Sequence, residues 1–437
     1  MNYAALFDEL EVSSWARGTP PPEAVPDGLS ELSPEQLEAL CAPLDESAVI
    51  CAGAGAGKTR LLVKRVAALL KKGVAARDVA VVTFTRKAAA ELKARVQKEV
   101  GAKAKDLVCA TVHARAYAHA VKHHLVLNLV EDDQLLELVE PLKMTLPKEL
   151  ESLNSRELLL LVSRYREMRR PLANEQALAT AFEAVLTQAG VDDFTAVLSK
   201  AMALPPAGFR HVLVDEAQDL SELQLQFLRQ HAPSAHFWFI GDADQAIYGF
   251  RGAHASMMHQ LKLDCSGSYV LRRNYRSARL IVHHALQVIK HNTERFDINW
   301  VPMTSAQGSV EVLAFESGDA ELHAARDWLQ AAAPGHRCVV ARTQALVAPL
   351  KEQGLMACSI HESKGLEWPE VWVLGCESSV MPHPLGSRTE ERRLCYVAMT
   401  RAKQALVMSY AETRVLANKK VSSRQPSVFL LEAQGLG

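Results

Sequence analysis

One stretch decides the fold of this chain: Ala52-Gly53-Ala54-Gly55-Ala56-Gly57-Lys58-Thr59. An apolar run over 47–52 precedes it, and a helical pattern over 60–72 follows it. Small residues let successive backbone N–H groups face inward, at a helix N-terminus that favours negative charge. The stretch therefore predicts a phosphate-binding loop between a buried strand and a helix.

Two side chains give this loop its expected chemistry. We expect Lys58 to reach the β and γ phosphates of a nucleotide and Thr59 to bind Mg²⁺ through its hydroxyl. The strict pattern has Gly at position 52, where this chain has Ala. The alternative, an ordinary glycine-rich turn between a strand and a helix, stays open at this point, although Gly-Lys-Thr at 57–59 favours the phosphate site.

A second apolar strand ends in carboxylates, within Val212-Leu213-Val214-Asp215-Glu216-Ala217-Gln218-Asp219. We expect Asp215 to bind Mg²⁺, directly or through water, and Glu216 to be the general base for an attacking water. An acidic pair after a strand is, taken alone, more typical of a solvated strand end or a helix cap. Together with the Lys58 loop it indicates a site that hydrolyses a nucleoside triphosphate.

Short apolar runs with polar ends recur along the chain and predict buried parallel strands. They lie at 79–83, 211–214, 236–240, 310–313, 338–340 and 371–374. Helical patterns separate them, which is typical of an α/β sheet that binds ligands at the carboxyl ends of its strands. Residues 117–206 break this alternation and predict a helical insertion. The Pro- and Gly-rich residues 1–30 predict a flexible arm.

Composition narrows the class of protein. The 437 residues include 49 Lys and Arg against 50 Asp and Glu, so a globally basic nucleic-acid binder is excluded but a local basic groove is not. No apolar run reaches the length of a membrane span, and the start lacks the order of a signal peptide. Eight scattered cysteines without a C-x-x-C pair indicate reduced thiols in a cytoplasmic protein and argue against a zinc site.

The chain resembles the UvrD/Rep-type superfamily 1 DNA helicases from about Leu32 to Val407. Beyond the two phosphate motifs, the resemblance rests on segments that follow in the order of that family. They are Val82-Thr83-Phe84-Thr85-Arg86-Lys87-Ala88-Ala89, Gly241-Asp242-Ala243-Asp244-Gln245-Ala246-Ile247-Tyr248-Gly249-Phe250-Arg251-Gly252-Ala253, Leu271-Arg272-Arg273-Asn274-Tyr275-Arg276-Ser277, His361-Glu362-Ser363-Lys364-Gly365-Leu366-Glu367 and Glu391-Arg392-Arg393-Leu394-Cys395-Tyr396-Val397-Ala398-Met399-Thr400-Arg401-Ala402-Lys403.

The resemblance implies an α/β protein with two RecA-like P-loop NTPase motor domains that have parallel sheets, plus a helical insertion called 1B. On this basis we expect motor domain 1A at 31–116 and 207–270, 1B at 117–206, and motor domain 2A at 271–437. The interval between Ser277 and His361 has room only for 2A itself, so we expect the 2B insertion of the family to be absent or minimal.

The resemblance also implies the walls of an ATP site. Besides the loop residues 52–59, Gln36 is expected to read the adenine edge, because its amide offers both a donor and an acceptor. Arg60 and Tyr275 resemble the residues that flank the adenine base. Glu367 resembles the residue that meets the ribose.

Three further positions resemble those that sense the γ-phosphate. Gln245 is expected to couple hydrolysis to DNA contacts. Arg276 and Arg401 are expected to reach the γ-phosphate from the second motor domain, since a planar, permanently charged guanidinium stabilises transferring phosphoryl oxygens. For any lone arginine a surface salt bridge is the better interpretation, and only the motif context favours the catalytic one. The resemblance implies that ATP draws the two halves together and that its hydrolysis releases them.

A DNA groove is expected from motif residues that supply aromatic faces and polar contacts. They are Phe84, Thr85, Arg86, His113, Tyr248, Phe250, Arg251, His361 and Lys364. The segment Ala114-Arg115-Ala116 departs from the family pattern after His113, and the aromatic positions are also compatible with a place in the core. The stretch 86–105 has seven basic and two acidic residues and is a candidate wall of this groove. A solvated helix face is the alternative, and it is preferred for 98–105.

These inferences predict an ATP- and Mg²⁺-dependent helicase or translocase on single-stranded DNA and on junctions with duplex DNA, acting in repair, replication or recombination. The resemblance implies 3′ to 5′ movement and a monomer. Two alternatives stay open: a translocase that unwinds duplex poorly, and a nucleotide-gated DNA-binding subunit of a repair or phage-defence complex with an unidentified protein partner.

Overall fold

A computed structural model describes most of the chain, namely residues 31–145, 153–168, 172–249, 252–253, 256–293, 295–296, 298, 300–384, 386–415 and 420–435. Two expectations fall outside these residues: the flexible arm at 1–30, and the DNA contacts of Phe250 and Arg251.

The described residues form two compact units, each built from several stretches of chain. The first unit contains the described residues up to Cys51, together with Lys58–Gly241 and Tyr248–Tyr269. The second contains Ala52–Gly57, Asp242–Ile247 and the described residues from Val270 onward. The phosphate-loop residues before Lys58 therefore pack with the carboxyl-terminal half of the chain.

The first unit is built on a sheet of six strands. They are β1 (Ala48–Ala52), β2 (Val79–Val82), β3 (Val108–Ala110), β4 (His211–Val214), β5 (His236–Gly241) and β6 (Gly267–Leu271). Their order is β3-β2-β4-β5-β1-β6, and the four pairings from β3 to β1 are parallel. Strands β1, β2 and β4 are buried along their whole length, which explains their unbroken apolar sequences.

The described helices of the first unit include three that form a group with its own core. In chain order the helices of this unit are α1 (Pro34–Leu40), α2 (Lys58–Lys71), α3 (Arg86–Val100), α4 (Val112–Lys122), α5 (Asp132–Val139), α6 (Ser155–Glu167), α7 (Ala173–Ala189), α8 (Phe194–Met202), α9 (Glu222–His231) and α10 (Met257–Asp264). Helices α5, α6 and α7 have a core of their own that includes Val139, Leu158, Val162 and Phe182, each fully buried. The predicted helical character of 117–206 holds for its described residues, which contain no strand longer than a single bridge.

The second unit is built on a five-stranded sheet whose pairings are all parallel. The strands of this sheet are β9 (Ser309–Phe315), β10 (Arg337–Ala341), β11 (Ala357–Ser359), β12 (Trp368–Leu374) and β13 (Ala402–Ala411). Two short pairs of strands lie outside it: β7 (Arg273–Asn274) with β8 (Val301–Pro302), and β14 (Thr413–Val415) with β15 (Val421–Ser423). The sheet order is β11-β10-β12-β13-β9.

Five helices accompany this sheet: α11 (Arg279–Ile289), α12 (Gly318–Gln330), α13 (Gln344–Glu352), α14 (Arg388–Met399) and α15 (Val428–Ala433). A core lies between α12, α13 and the sheet, and its central side chains include Leu329, Val339, Leu350 and Trp372. None of the helices in the described part of the chain has the length and apolar character that a membrane span requires.

The structure confirms the predicted strands to within a few residues and corrects two details. Helix α2 begins at Lys58, two residues before the predicted start, because Gly57 makes the left-handed turn at φ +78° and the helix follows at once. The structure also contains strands that were not predicted: β3, β6, β11 and β13 in the two sheets, and the short strands β7, β8, β14 and β15. Strands β3 and β11 have three residues each, which are too few to show a pattern. At α1, Ser33 is the N-cap and Pro34 the first helical residue.

Candidate functional site

Lys58, Asp215 and Glu216 lie together in the first unit. Lys58 is the first residue of α2, and β4 ends immediately before Asp215. The Lys58 Nζ lies 4.0 Å from Glu216 Oε1, and Lys58 and Asp215 are each only 8% exposed. The structure thus brings together one lysine and the two carboxylates that the sequence predicts for nucleotide hydrolysis.

Glu216 is held in an unusual backbone conformation by its neighbours. Its φ of +52° lies in the left-handed region, which side chains other than glycine rarely adopt. The Glu216 N–H donates to Asp215 Oδ1 at 3.0 Å, and Gln218 Nε2 donates to Glu216 Oε2 at 2.6 Å. A Cβ on Gly241 would lie 2.4 Å from Gln218 Oε1, so glycine at 241 leaves room for this buried amide.

Gln218 is a residue to which the sequence analysis gave no role. The available signal was its place in the acidic motif, two residues after Glu216. Because Gln218 is fully buried and donates to the carboxylate of Glu216, it orients the predicted general base.

Burial gives Asp215 unusual acid–base behaviour. Burial, and then the negative charge of Glu216, raises the pKa of Asp215 from 3.8 to about 7, and the positive charge of Lys58 opposes this rise. Removal from water disfavours the charged carboxylate, and a neighbouring carboxylate does the same. A divalent cation beside this carboxylate would relieve both effects.

The donors here fit Mg²⁺. The Thr59 hydroxyl and the Asp215 carboxylate are hard oxygen ligands of the type this ion prefers, and Mg²⁺ commonly takes one or two protein oxygens and completes its shell with phosphate and water. Among the described residues, no group of three or more His, Cys, Asp or Glu side chains could hold a metal ion by itself.

The phosphate loop is held within the second unit by the segment 274–276. Asn274 Nδ2 donates to Ala54 O at 2.7 Å, and the Tyr275 N–H donates to Gly55 O at 2.9 Å. Gly55 has φ +69°, and a Cβ there would lie 2.6 Å from Arg276 Cβ. A residue other than glycine at 55 would therefore meet both a strained backbone and an occupied space.

Gln245 and Arg401 meet inside the second unit. Arg401 is 1% exposed, and its Nη2 donates to Gln245 Oε1 at 3.1 Å. Gln245 Nε2 donates in turn to Asp242 Oδ2 at 2.7 Å, and Lys364 Nζ donates to Gln245 O at 2.7 Å. The structure thus joins the predicted γ-phosphate sensor to one predicted arginine and to one predicted DNA-contacting lysine.

Arg276 and Glu367 form an ion pair. Arg276 Nε lies 2.5 Å from Glu367 Oε2, and Lys403 Nζ lies 2.7 Å from Glu367 Oε1. Burial alone would raise the pKa of Glu367, but the positive charges of Arg276 and Lys403 outweigh it and lower this pKa. Both carboxylate oxygens of the predicted ribose-contacting residue are therefore engaged by cations.

The predicted adenine-contacting residues have different surroundings. Gln36 is 3% exposed, and its Oε1 accepts from the Ser33 N–H at 2.9 Å in the capping box of α1. Arg60 is exposed and forms an ion pair with Glu31. Tyr275, in the second unit, is 45% exposed. Their contacts with adenine stay predictions.

Two predicted DNA-stacking aromatics stack on each other. The ring centroids of Phe84 and Tyr248 are 4.5 Å apart with an interplanar angle of 21°. Tyr248 is 9% exposed and Phe84 is half-buried. Thr85 is the N-cap of α3, with its Oγ1 accepting from the Ala88 N–H at 3.1 Å, and Arg86 is the exposed first residue of that helix.

A cavity of about 980 Å³ opens in the first unit between the sheet and the predicted insertion. Its wall includes the predicted DNA residues Phe84, Arg86 and His113, and it reaches Asp215 and Glu216. The cavity therefore connects the predicted DNA groove to the predicted catalytic carboxylates.

Four further residues of this wall were missed by the sequence analysis: Lys93, Tyr117, Arg156 and Phe194. Tyr117 and Phe194 are 44% and 45% exposed, and the Phe194 ring lies edge-on to His113 with centroids 5.5 Å apart. Exposed aromatics next to basic side chains are suited to unstacked bases. Tyr117, Arg156 and Phe194 lie outside the motifs, so the pattern gave no signal for them, whereas Lys93 belongs to the basic stretch 86–105.

His361 lies in the second unit and is half-buried. Burial, and then the charge of Arg342, lowers the pKa of His361 from 6.5 to about 4. The imidazole is therefore neutral near pH 7. A DNA contact by this residue would use hydrogen bonding or stacking and not a positive charge.

Two family descriptions match this chain. The UvrD/REP helicase N-terminal domain matches residues 32–266, and the UvrD-like helicase C-terminal domain matches residues 349–413. The first match alone covers more than half of the chain.

Three individual relatives are also described as DNA helicases. DNA helicase II of Escherichia coli is 31% identical over 299 residues, which are 61% of this chain and 41% of that protein. The ATP-dependent DNA helicase srs2 of Schizosaccharomyces pombe is 31% identical over 294 residues, 56% of this chain and 33% of that protein. The ATP-dependent DNA helicase PcrA of Staphylococcus aureus is 28% identical over 299 residues, 61% of this chain and 41% of that protein. The chain thus spans about two fifths or less of the length of these relatives.

Proposed function

This chain belongs to the UvrD/REP helicase family, and on that basis we propose that it is a DNA-dependent ATPase that moves along single-stranded DNA. The observation that carries the proposal is the group of Lys58, Asp215 and Glu216 after buried parallel strands, with Lys58 Nζ 4.0 Å from Glu216. A lysine beside two carboxylates is what phosphoryl transfer to water requires.

Each residue of this group has a chemical task in the proposal. Lys58 binds the β and γ phosphates, and Thr59 and Asp215 hold Mg²⁺, which when bound neutralises charge on the phosphate oxygens. Glu216, oriented by Gln218 Nε2 at 2.6 Å, accepts a proton from the attacking water. Withdrawal of the carboxylates from bulk water strengthens these interactions.

Coupling to DNA is proposed to run through Gln245. Its side chain contacts Arg401 and its backbone carbonyl accepts from Lys364. Hydrolysis at the γ-phosphate therefore changes the position of Lys364, a residue that is expected to contact DNA.

We propose 3′ to 5′ movement and the assignment of 31–116 and 207–270 to motor domain 1A, 117–206 to 1B and 271–437 to 2A. The family resemblance supports both.

The decisive experiment is steady-state ATPase activity with and without single-stranded DNA. We expect stimulation of the wild type by DNA and a loss of at least about 100-fold in kcat for Glu216→Gln, because general-base catalysis contributes roughly that much. Glu352→Gln, an exposed carboxylate on α13, is the matched control and is expected to retain activity. Nucleotide binding without DNA-stimulated turnover would favour the nucleotide-gated binding subunit instead.

A second assay distinguishes helicase activity from translocation with little unwinding. On a duplex with a 3′ single-stranded tail, strand separation supports the helicase. Displacement of streptavidin from biotinylated single-stranded DNA without strand separation supports a translocase that unwinds poorly. The same duplex with a 5′ tail tests polarity, since activity on that substrate alone would contradict 3′ to 5′ movement.

A further inference from the structure

Arg295 lies in the connection between α11 and β8 and forms a buried ion pair with Asp244. Its Nη2 donates to Asp244 Oδ2 at 2.7 Å, and its Nε lies 3.3 Å and 3.2 Å from Asp244 Oδ1 and Oδ2. The two side chains are 10% and 4% exposed, and both residues belong to the second unit. Two nitrogen atoms of one guanidinium that face one carboxylate make a strong and directional contact. The pair therefore holds the Asp244 carboxylate in one position.

Asp244 belongs to a short turn that ends at Gln245. Residues Ala243–Gln245 form a single 3₁₀ turn with Asp242 as its N-cap. Asp242 Oδ1 accepts from the Asp244 N–H at 3.0 Å, and Asp242 Oδ2 accepts from Gln245 Nε2 at 2.7 Å. The two oxygens of one carboxylate thus hold the backbone of Asp244 and the side chain of Gln245. A shift of Asp244 would therefore move the side-chain amide of Gln245 with it.

Gln245 also contacts two residues with predicted roles in the ATPase cycle. Arg401 Nη2 donates to Gln245 Oε1 at 3.1 Å, and Lys364 Nζ donates to Gln245 O at 2.7 Å. Arg295 contacts the turn at Asp244, the residue immediately before Gln245. It is thus placed to determine the geometry of both contacts through the turn.

Asp244 depends on Arg295 because its carboxylate is removed from water. Burial raises the pKa of Asp244, and the hydrogen bonds and charge of Arg295, followed by the charge of Arg393, oppose this rise. Removal of one partner of a buried ion pair leaves an uncompensated charge, which is strongly unfavourable. Without Arg295, the Asp244 carboxylate would bind a proton or move towards water, and such a movement would distort the turn.

We propose that Arg295 is a positioning residue for the predicted γ-phosphate sensor: by holding Asp244, it keeps the turn 242–245 in the shape in which Gln245 meets Arg401 and Lys364. The proposal rests on the proposed function, since it requires that Gln245 and Arg401 act on the γ-phosphate. The sequence analysis gave Arg295 no role, because it lies between the motif segments 271–277 and 361–367.

Two substitutions of Arg295 test this role. Arg295→Met removes the charge and keeps much of the apolar length of the side chain, whereas Arg295→Lys keeps the charge but cannot face the carboxylate with two nitrogen atoms. Arg326→Met is the matched control, since Arg326 forms an ion pair with Asp327 at an exposed position of α12. Steady-state ATPase assays with single-stranded DNA in excess supply kcat and KM. Calorimetry supplies the affinities for ADP and for a non-hydrolysable ATP analogue.

We expect Arg295→Met to lower kcat about tenfold or more, while KM and the affinity for ADP change less than about twofold, because a misplaced sensor weakens the transition state and not the binding of the nucleotide. Arg326→Met should change none of these quantities by more than about twofold. An unchanged kcat in Arg295→Met overturns the inference. Equal losses of kcat and of affinity for ADP also overturn it, since they would show that the pair only supports the fold.

Arg295→Lys covers the case in which Arg295→Met fails to fold, because it leaves a cation beside the buried carboxylate. We expect a fall of about threefold or more in kcat with an unchanged KM, since one ammonium group does not reproduce the paired contact. Wild-type kcat in Arg295→Lys overturns the inference. A wild type without ATPase activity that DNA stimulates overturns the proposed function, so the two failures are distinguishable.

Discussion

Two buried side-chain amides hold Glu216 and the phosphate loop in place. Gln218 donates to Glu216, and Asn274 donates to Ala54 O while its Oδ1 accepts from the N–H groups of Arg276 and Ser277 at 3.0 and 2.9 Å. Each amide is at most 3% exposed. A buried amide can be satisfied only by specific hydrogen-bond partners. These two residues therefore determine the positions of their partners without adding charge to the site.

Gln218→Ala should lower kcat without a matching loss of nucleotide affinity. The variant removes the donor to Glu216 Oε2, so the carboxylate is no longer held for the attacking water, while Lys58 and Thr59 are unchanged. We expect a fall of about tenfold or more in kcat, measured by ATPase assay with single-stranded DNA in excess. Gln97→Ala, at an exposed position of α3, is the control, and equal activity in both variants would contradict this role.

Asn274→Ala should destabilise the second unit and weaken nucleotide binding. The change removes three hydrogen bonds at a buried site and leaves their partners unsatisfied, which we expect to cost about 2–4 kcal/mol of unfolding free energy. Urea denaturation measures this loss. Asn128→Ala removes one exposed hydrogen bond to Gly190 O and should cost less than about 1 kcal/mol. A similar cost for both variants would contradict a stabilising role for the buried Asn274 amide.

At the scale of elements, the sequence predicts what is local. Apolar runs such as 211–214 predict buried parallel strands because both faces of such a strand are covered, and these predictions match β1, β2 and β4 closely. The capping box at Ser33 and Gln36 is also local, because it joins residues three positions apart. Strands β3 and β11 were missed because three residues show no period, and the longer strands β6 and β13 were missed as well.

Contacts between distant segments could not be predicted from the sequence pattern. The hydrogen bond from Arg401 to Gln245 joins residues 156 positions apart, and Asn274 reaches Ala54 across 220 positions. No periodicity encodes such a pairing; only the resemblance indicated that the motifs converge. The stacking of Phe84 on Tyr248 depends on tertiary packing in the same way.

Helices α4 and α9 pack through buried histidines, which makes their contact sensitive to acid. His231 is 5% exposed, and its Nε2 accepts from Arg115 Nε at 3.0 Å. Burial, and then the charge of Arg115, lowers the pKa of His231 from 6.5 to about 3. The folded state therefore binds fewer protons than the unfolded state between about pH 6.5 and 3, so stability falls as the pH drops through this window.

His231→Gln should reduce the loss of stability in acid. A folded pKa well below 6.5 means that His231 costs about 2 kcal/mol at pH 5 relative to pH 7, and glutamine keeps an acceptor for Arg115 without titrating. Urea denaturation at pH 7 and pH 5 measures the difference. His283→Gln, an exposed histidine on α11, should leave the pH dependence of the wild type unchanged. The same pH dependence in His231→Gln and the wild type would rule out this explanation.

At the scale of the whole molecule, each unit has buried apolar side chains of its own and can therefore unfold in a cooperative transition of its own. Leu62 on α2 is fully buried in the first unit, and Leu350 on α13 is fully buried in the core of the second. Domains with separate cores commonly show more than one unfolding transition, and a single free energy then no longer describes the chain. The chain offers a direct test, because a leucine can be truncated in either core.

Leu62→Ala should lower the midpoint of one thermal transition and Leu350→Ala the midpoint of another. Each truncation removes apolar contacts and leaves a cavity, which costs about 2–5 kcal/mol in a well-packed core. Differential scanning calorimetry of the nucleotide-free protein measures both transitions in one scan. Exposed Leu160, 40% exposed on α6, provides the control, since Leu160→Ala should shift neither midpoint by more than about 2 °C. If either core variant shifts every transition equally, the units unfold as one, and the stability of the phosphate loop then depends on both cores.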